Sequence, residues 1–594
     1  MKYLINQMGY MFSMAWRFSN RRRTLILMYF MFIVANTITC TEPLIISQIV
    51  NSAINRSPDL LREPLLWTAL YGVATIAFWL FHGPARVLER RGAFQIQQAF
   101  ITDLYAKISE LPLGWHVNNH SSDSVSRITR ASRGLFEFSG SQSMAIMVTT
   151  RFVVSIVSLS IYSPIISALS IITTLLTFRL LSRFDRRLMP LLRRVTNGEH
   201  HVNTGLGDYI GNMTTIVNLR LRSRTQSELG RRFIKYNHTS WLHSALIERK
   251  WAVINFCLVL SQVAIIAGYV GVNIALNSAI SPGSVVAVFQ FLLMINMMFF
   301  QSITIIGNYL NQYSDVRSVE KILDAHSCLK RNNIFTDFPR VWTQISIRNL
   351  SYSYEKTSNR VHGIRDVSLE IRSGRKIAVV GTSGAGKSTL LALIRGLLVS
   401  SSANMLVDGK EYENLSILSN MSSLVTQEAE IFENTILFNL TLGESILESV
   451  LNRAIYVSAF DSVVKSIPKR FMHDLREGGV NLSGGQKQRL ALARGLIASS
   501  DSSLLLLDEP TSSVDLHTES EIFRRLFIEF PELTCIVTLH RLHLLRNFDE
   551  IWVLKDGSIV DRGTFDQVMS CSDAFQLLWN SQEWAEIDNI QNLT

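Results

Sequence analysis

At 594 residues the chain exceeds one ordinary core, and with 47% hydrophobic and only 18% charged residues, against roughly 25% in soluble domains, it reads as a membrane protein. Its formal charge of +10 divides into +17 over residues 1–342 and −7 over 343–594, so the positive excess lies on the apolar half, where the cytoplasmic face retains Lys and Arg, and nucleic acid is not an expected partner. Cys40, Cys257, Cys328, Cys535 and Cys571 are scattered without a CxxC or Cys/His cluster, which argues against a disulfide framework or a zinc site.

Residues 1–23 are basic and amphipathic and lack a small-residue cleavage site after a short apolar run. They predict an interfacial helix rather than a signal peptide, with Met11, Phe12, Met14, Trp16 and Phe18 available to the lipid boundary. A spanning helix needs about twenty mostly apolar residues, because hydrocarbon offers the backbone no hydrogen-bond partner. Residues 24–50 carry one charge, Glu42, and 65–82 carry none. The uncharged run 152–178, extended upstream past Arg151, makes room for two spans around a tight turn at Ser163-Pro164. The uncharged run 251–314 is interrupted by turn residues at 277–283. Six spans are expected, near 24–50, 65–85, 139–162, 164–182, 251–276 and 283–312, within a membrane domain over 24–325. The connections at 51–64, 163 and 277–283 are short and hold only Arg56 and Arg62 as basic residues, whereas 83–138 and 179–250 are long and Arg-rich. The positive-inside rule then places the long segments, the N-terminus and everything past the sixth span in the cytoplasm. Helical spacing of apolar residues through 87–111 and 206–229 extends the spans beyond the bilayer. Twenty helical residues reach about 30 Å. Two charges lie inside spans, Glu42 before Pro43 and Arg151 in the third; each is a candidate to line a polar cargo cavity, with a water-filled vestibule, snorkelling or internal pairing as the alternative.

After a linker over 326–342, residues 343–580 predict an α/β domain, followed by a tail over 581–594. The apolar strand Ile377-Ala378-Val379-Val380 leads into Gly381-Thr382-Ser383-Gly384-Ala385-Gly386-Lys387-Ser388-Thr389, a P-loop entering a helix. Its glycines let backbone N–H groups wrap phosphates, Lys387 reaches the β- and γ-phosphates, and the Ser388 hydroxyl can bind Mg²⁺. Leu504-Leu505-Leu506-Leu507-Asp508-Glu509 reads as a buried central strand ending in two carboxylates, at the edge where such sheets bind ligands. Asp508 is placed to hold Mg²⁺ and Glu509 to act as general base on the attacking water. Between the two lies Leu482-Ser483-Gly484-Gly485-Gln486, weak evidence alone and strong evidence at this spacing.

With these motifs in this order the second half resembles the nucleotide-binding domain of ABC transporters across nearly all of 343–580. The resemblance implies that Tyr354, with Tyr352 as the weaker candidate, stacks on adenine, that Gln427 contacts Mg²⁺ and the water, and that Glu477 belongs to a loop touching the membrane helices. It implies a D-loop at Asp515, a switch histidine at His540 that contacts the γ-phosphate, and a signature 483–486 that closes over the P-loop nucleotide of a second subunit. The first half resembles the type IV exporter fold, on the order of spans, Pro43, Leu111-Pro112-Leu113 and Gly283. Tips near 113–121 and 212–223 would be its coupling helices. The sequence departs from the family at Ser121-Ser122-Asp123, where Gly often precedes the acid, and at Pro510, where exporters more often have Ala.

The fold class implied is a multidomain membrane protein: an all-α six-helix transmembrane domain with long cytoplasmic extensions, followed by a P-loop ABC ATPase. The activity implied is ATP-driven export or flipping of a lipid, peptide or other amphipathic small molecule by alternating access, with ATP and Mg²⁺ as cofactors. Retention of Glu509, His540 and the signature together favours a homodimer, although the chain would also serve as the intact member of an unequal pair. The expected location is a bacterial inner membrane with the ATPase in the cytoplasm. A gated channel or regulatory subunit of the same architecture is the competing function; such proteins usually carry a degraded catalytic site.

Overall fold

A computed structural model describes the chain except for residues 1, 20, 55–61, 120, 276–279, 333–340, 354–362, 413–414, 477–478 and 582–594. The described residues form two compact units, Met1–Glu110 with Ser121–Ser327, and Leu111–His120 with Cys328–Thr594.

The first half of the chain is helical: α1 (Lys2–Arg17), α2 (Arg22–Thr39), α3 (Glu42–Ile54), α4 (Arg62–Ser109), α5 (Leu113–Asn118), α6 (Ser121–Ser139), α7 (Gln142–Tyr162), α8 (Pro164–Gly211), α9 (Met213–Asn218), α10 (Arg222–Ala275), α11 (Pro282–Arg317) and α12 (Glu320–Asn332). Among the described residues six stretches are long and apolar enough to cross a membrane: Arg22–Ile54, Arg62–Ser109, Asp123–Tyr162, Pro164–Gly211, Arg222–Ala275 and Pro282–Cys328. The last of these stretches reaches into the segment expected as a linker.

Three of the six are interrupted, between α2 and α3, between α6 and α7, and between α11 and α12, and the first two breaks have identifiable causes. The Asn36 amide and the Thr37 and Thr39 hydroxyls bond back to the carbonyls of Phe32, Ile33 and Ala35, which loosens the end of α2. Pro43 then has no N–H to continue the ladder, so α3 restarts at Glu42. The break between α6 and α7 falls at Gly140-Ser141. A Cβ on Gly140 would sit 3.2 Å from the Phe136 carbonyl oxygen and 3.3 Å from Arg90 Nη1. There the buried Glu89 carboxylate of α4 accepts from the Ser143 backbone N–H at 2.7 Å, and Arg86 pairs with Glu89 while donating to Ser143 Oγ at 2.6 Å. A carboxylate at the first turn of α7 satisfies an N–H that has no partner within the helix.

Gly283 sets the approach of α11 to α3, since a Cβ there would lie 2.1 Å from the Ser47 carbonyl oxygen, and its own N–H donates to Asn51 Oδ1 at 2.8 Å. Leu159, Ile265, Phe291 and Leu292 are buried together between α7, α10 and α11. Outward-facing Ile76, Leu80, Phe256 and Val263 are exposed, as suits helices whose solvent is hydrocarbon.

The second unit is built on β1 (Gln344–Ser353), β2 (Gly363–Arg372), β3 (Lys376–Val380), β4 (Ser402–Val407), β5 (Lys410–Tyr412), β6 (Ser422–Val425), β7 (Leu504–Asp508), β8 (Thr534–Thr538), β9 (Glu550–Lys555) and β10 (Ser558–Gly563). Its helices are α13 (Lys387–Ile394), α14 (Ile436–Thr441), α15 (Glu448–Val457), α16 (Asp461–Ser466), α17 (Gly484–Ala498), α18 (Leu516–Glu529) and α19 (Phe565–Cys571). One sheet is antiparallel, in the order β2-β1-β4-β5; the other runs β10-β9-β3-β8-β7-β6 and is parallel except for the β9–β10 pair. The four leucines of β7 split by parity: Leu505 and Leu507 join the core on one face of the sheet, Leu504 and Leu506 the core on the other. A strand covered on both faces needs such an unbroken apolar run. The carboxyl ends of β3, β6, β7 and β8 lead into residues 381, 426, 509 and 539, along the edge where parallel sheets bind ligands.

Candidate active site

The loop after β3 is shaped by its glycines. Gly384 has φ +80° and Gly386 φ +105°, in the left-handed region that favours residues without a Cβ. A Cβ on Gly381 would lie 2.2 Å from the Leu554 carbonyl oxygen. Thr382, Ser383 and Gly384 are exposed at the loop crest, Ala385 is buried beneath it, and exposed Ser388 and half-buried Thr389 stand in the first turn of α13. Lys387 folds back onto the loop, its Nζ donating to the carbonyls of Gly381 at 2.9 Å and Thr382 at 3.3 Å. Burial pushes its ammonium pKa down, and the nearby carboxylates of Glu509 and Asp508 oppose that shift.

At the end of β7, Thr538 of the neighbouring strand ties the two acids together. Its hydroxyl donates to Asp508 Oδ1 at 2.7 Å and accepts the Glu509 N–H at 2.9 Å. Glu509 adopts φ +47°, a strained backbone for a residue with a Cβ, and strain of this kind persists where surrounding contacts enforce it. Both of its carboxylate oxygens are engaged: Oε1 lies 2.5 Å from His540 Nε2, and Oε2 accepts from Gln427 Nε2 at 2.8 Å. Gln427, Glu509 and His540 thus converge from three loops, after β6, β7 and β8. Donation by its amide nitrogen leaves the Gln427 side-chain oxygen Oε1 available to a cation. That oxygen, the Ser388 hydroxyl and the Asp508 carboxylate are all hard oxygen donors, the ligand type that Mg²⁺ takes.

The signature segment opens α17 with a capping box. The Gln486 N–H donates to Ser483 Oγ at 3.3 Å, and the Ser483 N–H donates to Gln486 Oε1 at 2.9 Å. A Cβ on Gly485 would sit 2.7 Å from the Ser513 carbonyl oxygen, and one on Gly484 3.4 Å from Ser513 Cβ, so the two glycines let α17 press against the loop after β7. Asp515 caps α18 by accepting the Thr518 N–H at 2.9 Å, a bond that holds its carboxyl below the usual carboxylate range. Tyr354 and Glu477 lie outside the described residues; Tyr352 is in β1.

Three residues that the motifs did not single out join these segments. Buried Gln488 accepts the Ser513 N–H at 2.8 Å, donates to Ser512 Oγ at 2.7 Å, and reaches the Gln427 carbonyl at 3.5 Å. Glu519 accepts from Thr511 Oγ1 at 2.6 Å and from Arg541 Nη1 at 2.8 Å. Arg541, next in sequence to His540, also donates to the Val514 carbonyl at 2.8 Å.

Two family models match the chain, one described as the ABC transporter transmembrane region over residues 25–299 and one as ABC transporter over residues 364–512. The chain belongs to the ABC transporters. It is similar at 27% identity to an ATP-dependent lipid A-core flippase of Idiomarina loihiensis, over 82% of this transporter and 84% of the relative. A beta-(1→2)glucan export ATP-binding/permease protein of Rhizobium johnstonii is 25% identical over 92% of each chain. The fold is that of a solved bacterial Atm1-family ABC exporter with ATP bound, at a TM-score of 0.75 and 18% identity, over 95% of this chain and 98% of that one. The transporter is therefore a multi-pass membrane protein of the exporter type, with an ATPase domain that binds ATP and couples its hydrolysis to export.

Proposed function

We propose that the transporter works as a homodimer in a bacterial inner membrane, with its ATPase domains in the cytoplasm, and moves an amphipathic lipid, peptide or small molecule by alternating access. ATP is hydrolysed at two composite sites, each made of one subunit's 381–389 loop and the other's 483–486 signature. The observation that carries the hydrolytic assignment is the two-point hold on Glu509 by Gln427 and His540. A carboxylate gripped at both oxygens is fixed in direction, and a general base needs that before it needs a tuned pKa.

In this scheme the 381–386 backbone and Lys387 bind the phosphates, and Thr389 closes the first turn of α13 behind them. Tyr354 packs on the base. Ser388, Gln427 and Asp508 hold Mg²⁺, which when bound supplies neutralising charge at the β- and γ-phosphate oxygens. Glu509 takes the proton of the attacking water, and His540 orients the Glu509 carboxylate and faces the γ-phosphate. From the second subunit Ser483, Gly484, Gly485 and Gln486 present a helix N-terminus, where N–H groups and the helix dipole favour an anion. Asp515 shapes the loop next to that N-terminus.

Glu509→Gln tests the reading. In reconstituted membranes the variant is expected to lose ATP turnover by about 10²–10⁴-fold, the usual worth of a general base, and to lose export while still binding ATP. Turnover and export at wild-type rates would remove Glu509 from the role of base.

A further inference from the structure

Glu42 and Arg151 are charges within two different membrane-crossing stretches, and the fold brings them to the same cavity of about 210 Å³, which Tyr71, Phe78 and Trp79 also line. Among the described residues no ion pair within 4.0 Å joins the two charges, although they are close enough to attract each other across the cavity. Glu42 accepts from the Tyr71 hydroxyl at 3.1 Å through Oε1, and Arg151 donates through Nε to Asn36 Oδ1 at 3.2 Å. Among the described residues these are the only hydrogen bonds of the two side chains, so four of the five guanidinium N–H donors and the second carboxylate oxygen remain available. Their supports are fixed. Asn36 is 2% exposed and bonded to the Phe32 carbonyl, and Glu42 begins α3 at the helix break.

Helix capping accounts for a carboxylate at the start of α3, but not for a guanidinium from α7 in the same cavity. Charges inside a membrane are costly unless something pairs with them. A carboxylate and a guanidinium that line one cavity without a direct ion pair are together complementary to a molecule that carries both a cation and an anion. The cavity is smaller than the roughly 300–1,000 Å³ of sites that take whole drug-sized ligands, so it suits a head group rather than an entire amphiphile. Phe78 and Trp79 give it an aromatic wall, favourable to an ammonium and to the first carbons of an apolar tail.

We propose that this cavity binds a zwitterionic head group of the cargo, its ammonium at Glu42 and its phosphate or carboxylate at Arg151. The assignment rests on the export function proposed above, although the binding itself requires neither ATP nor transport. The full-length protein in phosphatidylglycerol nanodiscs would be dialysed to equilibrium against four probes. These are dihexanoylphosphatidylethanolamine, the tail-less glycerophosphoethanolamine, anionic dihexanoylphosphatidylglycerol and cationic hexyltrimethylammonium.

The wild type is expected to bind the zwitterionic lipid about tenfold or more tightly than either singly charged probe. Glu42→Gln should lower that affinity to the level of the anionic probe without weakening the anionic probe's own binding. Arg151→Gln should lower it to the level of the cationic probe and spare that one. Because each variant keeps one probe at wild-type strength or better, misfolding cannot imitate the pattern. Tight binding of the tail-less probe would make the ligand a soluble zwitterion, and weak binding would make it a lipid; both satisfy the proposed chemistry. A wild type that fails to prefer zwitterions, or variants that both hold the zwitterionic lipid within twofold of wild type, would overturn the proposal. Failure of the wild-type protein to export with this pattern intact would count against the transport reading and not against the cavity.

Discussion

Glu519, in the first turn of α18, is only 2% exposed, and its side chain reaches two sides of the candidate active site at once. One oxygen takes the Thr511 hydroxyl, two residues beyond Glu509; the other takes Arg541, which follows His540 and also holds the Val514 carbonyl beside Asp515. A single carboxylate therefore locks together the backbones that carry the base, the switch histidine and the D-loop. Glu519→Gln keeps the shape and removes the charge that anchors Arg541. Displacing His540 slightly from Glu509 should act on turnover more than on nucleotide binding, because the 381–389 loop is held independently by its own backbone. The expected result is a fall in kcat of about tenfold with KM for ATP within about twofold. A rise in KM at unchanged kcat, in steady-state ATPase assays, would show that Glu519 does not position the reacting groups.

At the scale of elements, the packing of α17 against the loop after β7 depends on an absent side chain. Gly485→Ala would place a Cβ 2.7 Å from the Ser513 backbone oxygen, and backbone cannot swing aside as a flexible side chain can. Overpacking of this kind costs about 1–3 kcal/mol and would shift the N-terminus of α17 relative to Asp515. Gly207→Ala is the control, since a Cβ there meets nothing within 4 Å. Gly485→Ala should lower ATPase activity about tenfold or more and lower the unfolding midpoint, while Gly207→Ala should do neither.

The same elements show why sequence pattern reached some features and not others. The leucines of β7, the P-loop glycines and the apolar runs of the six spans are local signals, each set by the period or conformation of its own segment. Even the capping box was spelled out by Ser483 and Gln486 at its usual spacing. By contrast, the break between α6 and α7 is secured by Glu89, 54 residues upstream of the N–H it accepts. Gln488, Glu519 and Arg541 likewise gain their meaning only when β6, β7 and β8 come side by side. Glu42 and Arg151 were visible as isolated charges, but nothing in the order of residues places them on one cavity.

For the whole molecule the decisive question is where a complete ATP site resides. If each site joins the 381–389 loop of one subunit to the signature of the other, lesions in those two segments should combine according to which chain carries them. Lys387→Ala removes the phosphate-binding ammonium, and Ser483→Arg fills the N-terminus of α17, so either change in both subunits should abolish ATPase activity. A mixed dimer with Lys387→Ala on one subunit and Ser483→Arg on the other puts both lesions into one composite site. The second site stays intact, and about half the wild-type activity should survive if the sites act independently. Placing both substitutions on one subunit beside a wild-type partner damages both composite sites, so activity should vanish. Sites complete within single subunits predict the reverse, an inactive first mixture and a half-active second. Mixed dimers isolated through two different affinity tags, measured by ATPase assay and by single-turnover hydrolysis should the two sites prove coupled, separate the alternatives. Equal activity of the two mixtures in both assays would remove the composite site from the mechanism.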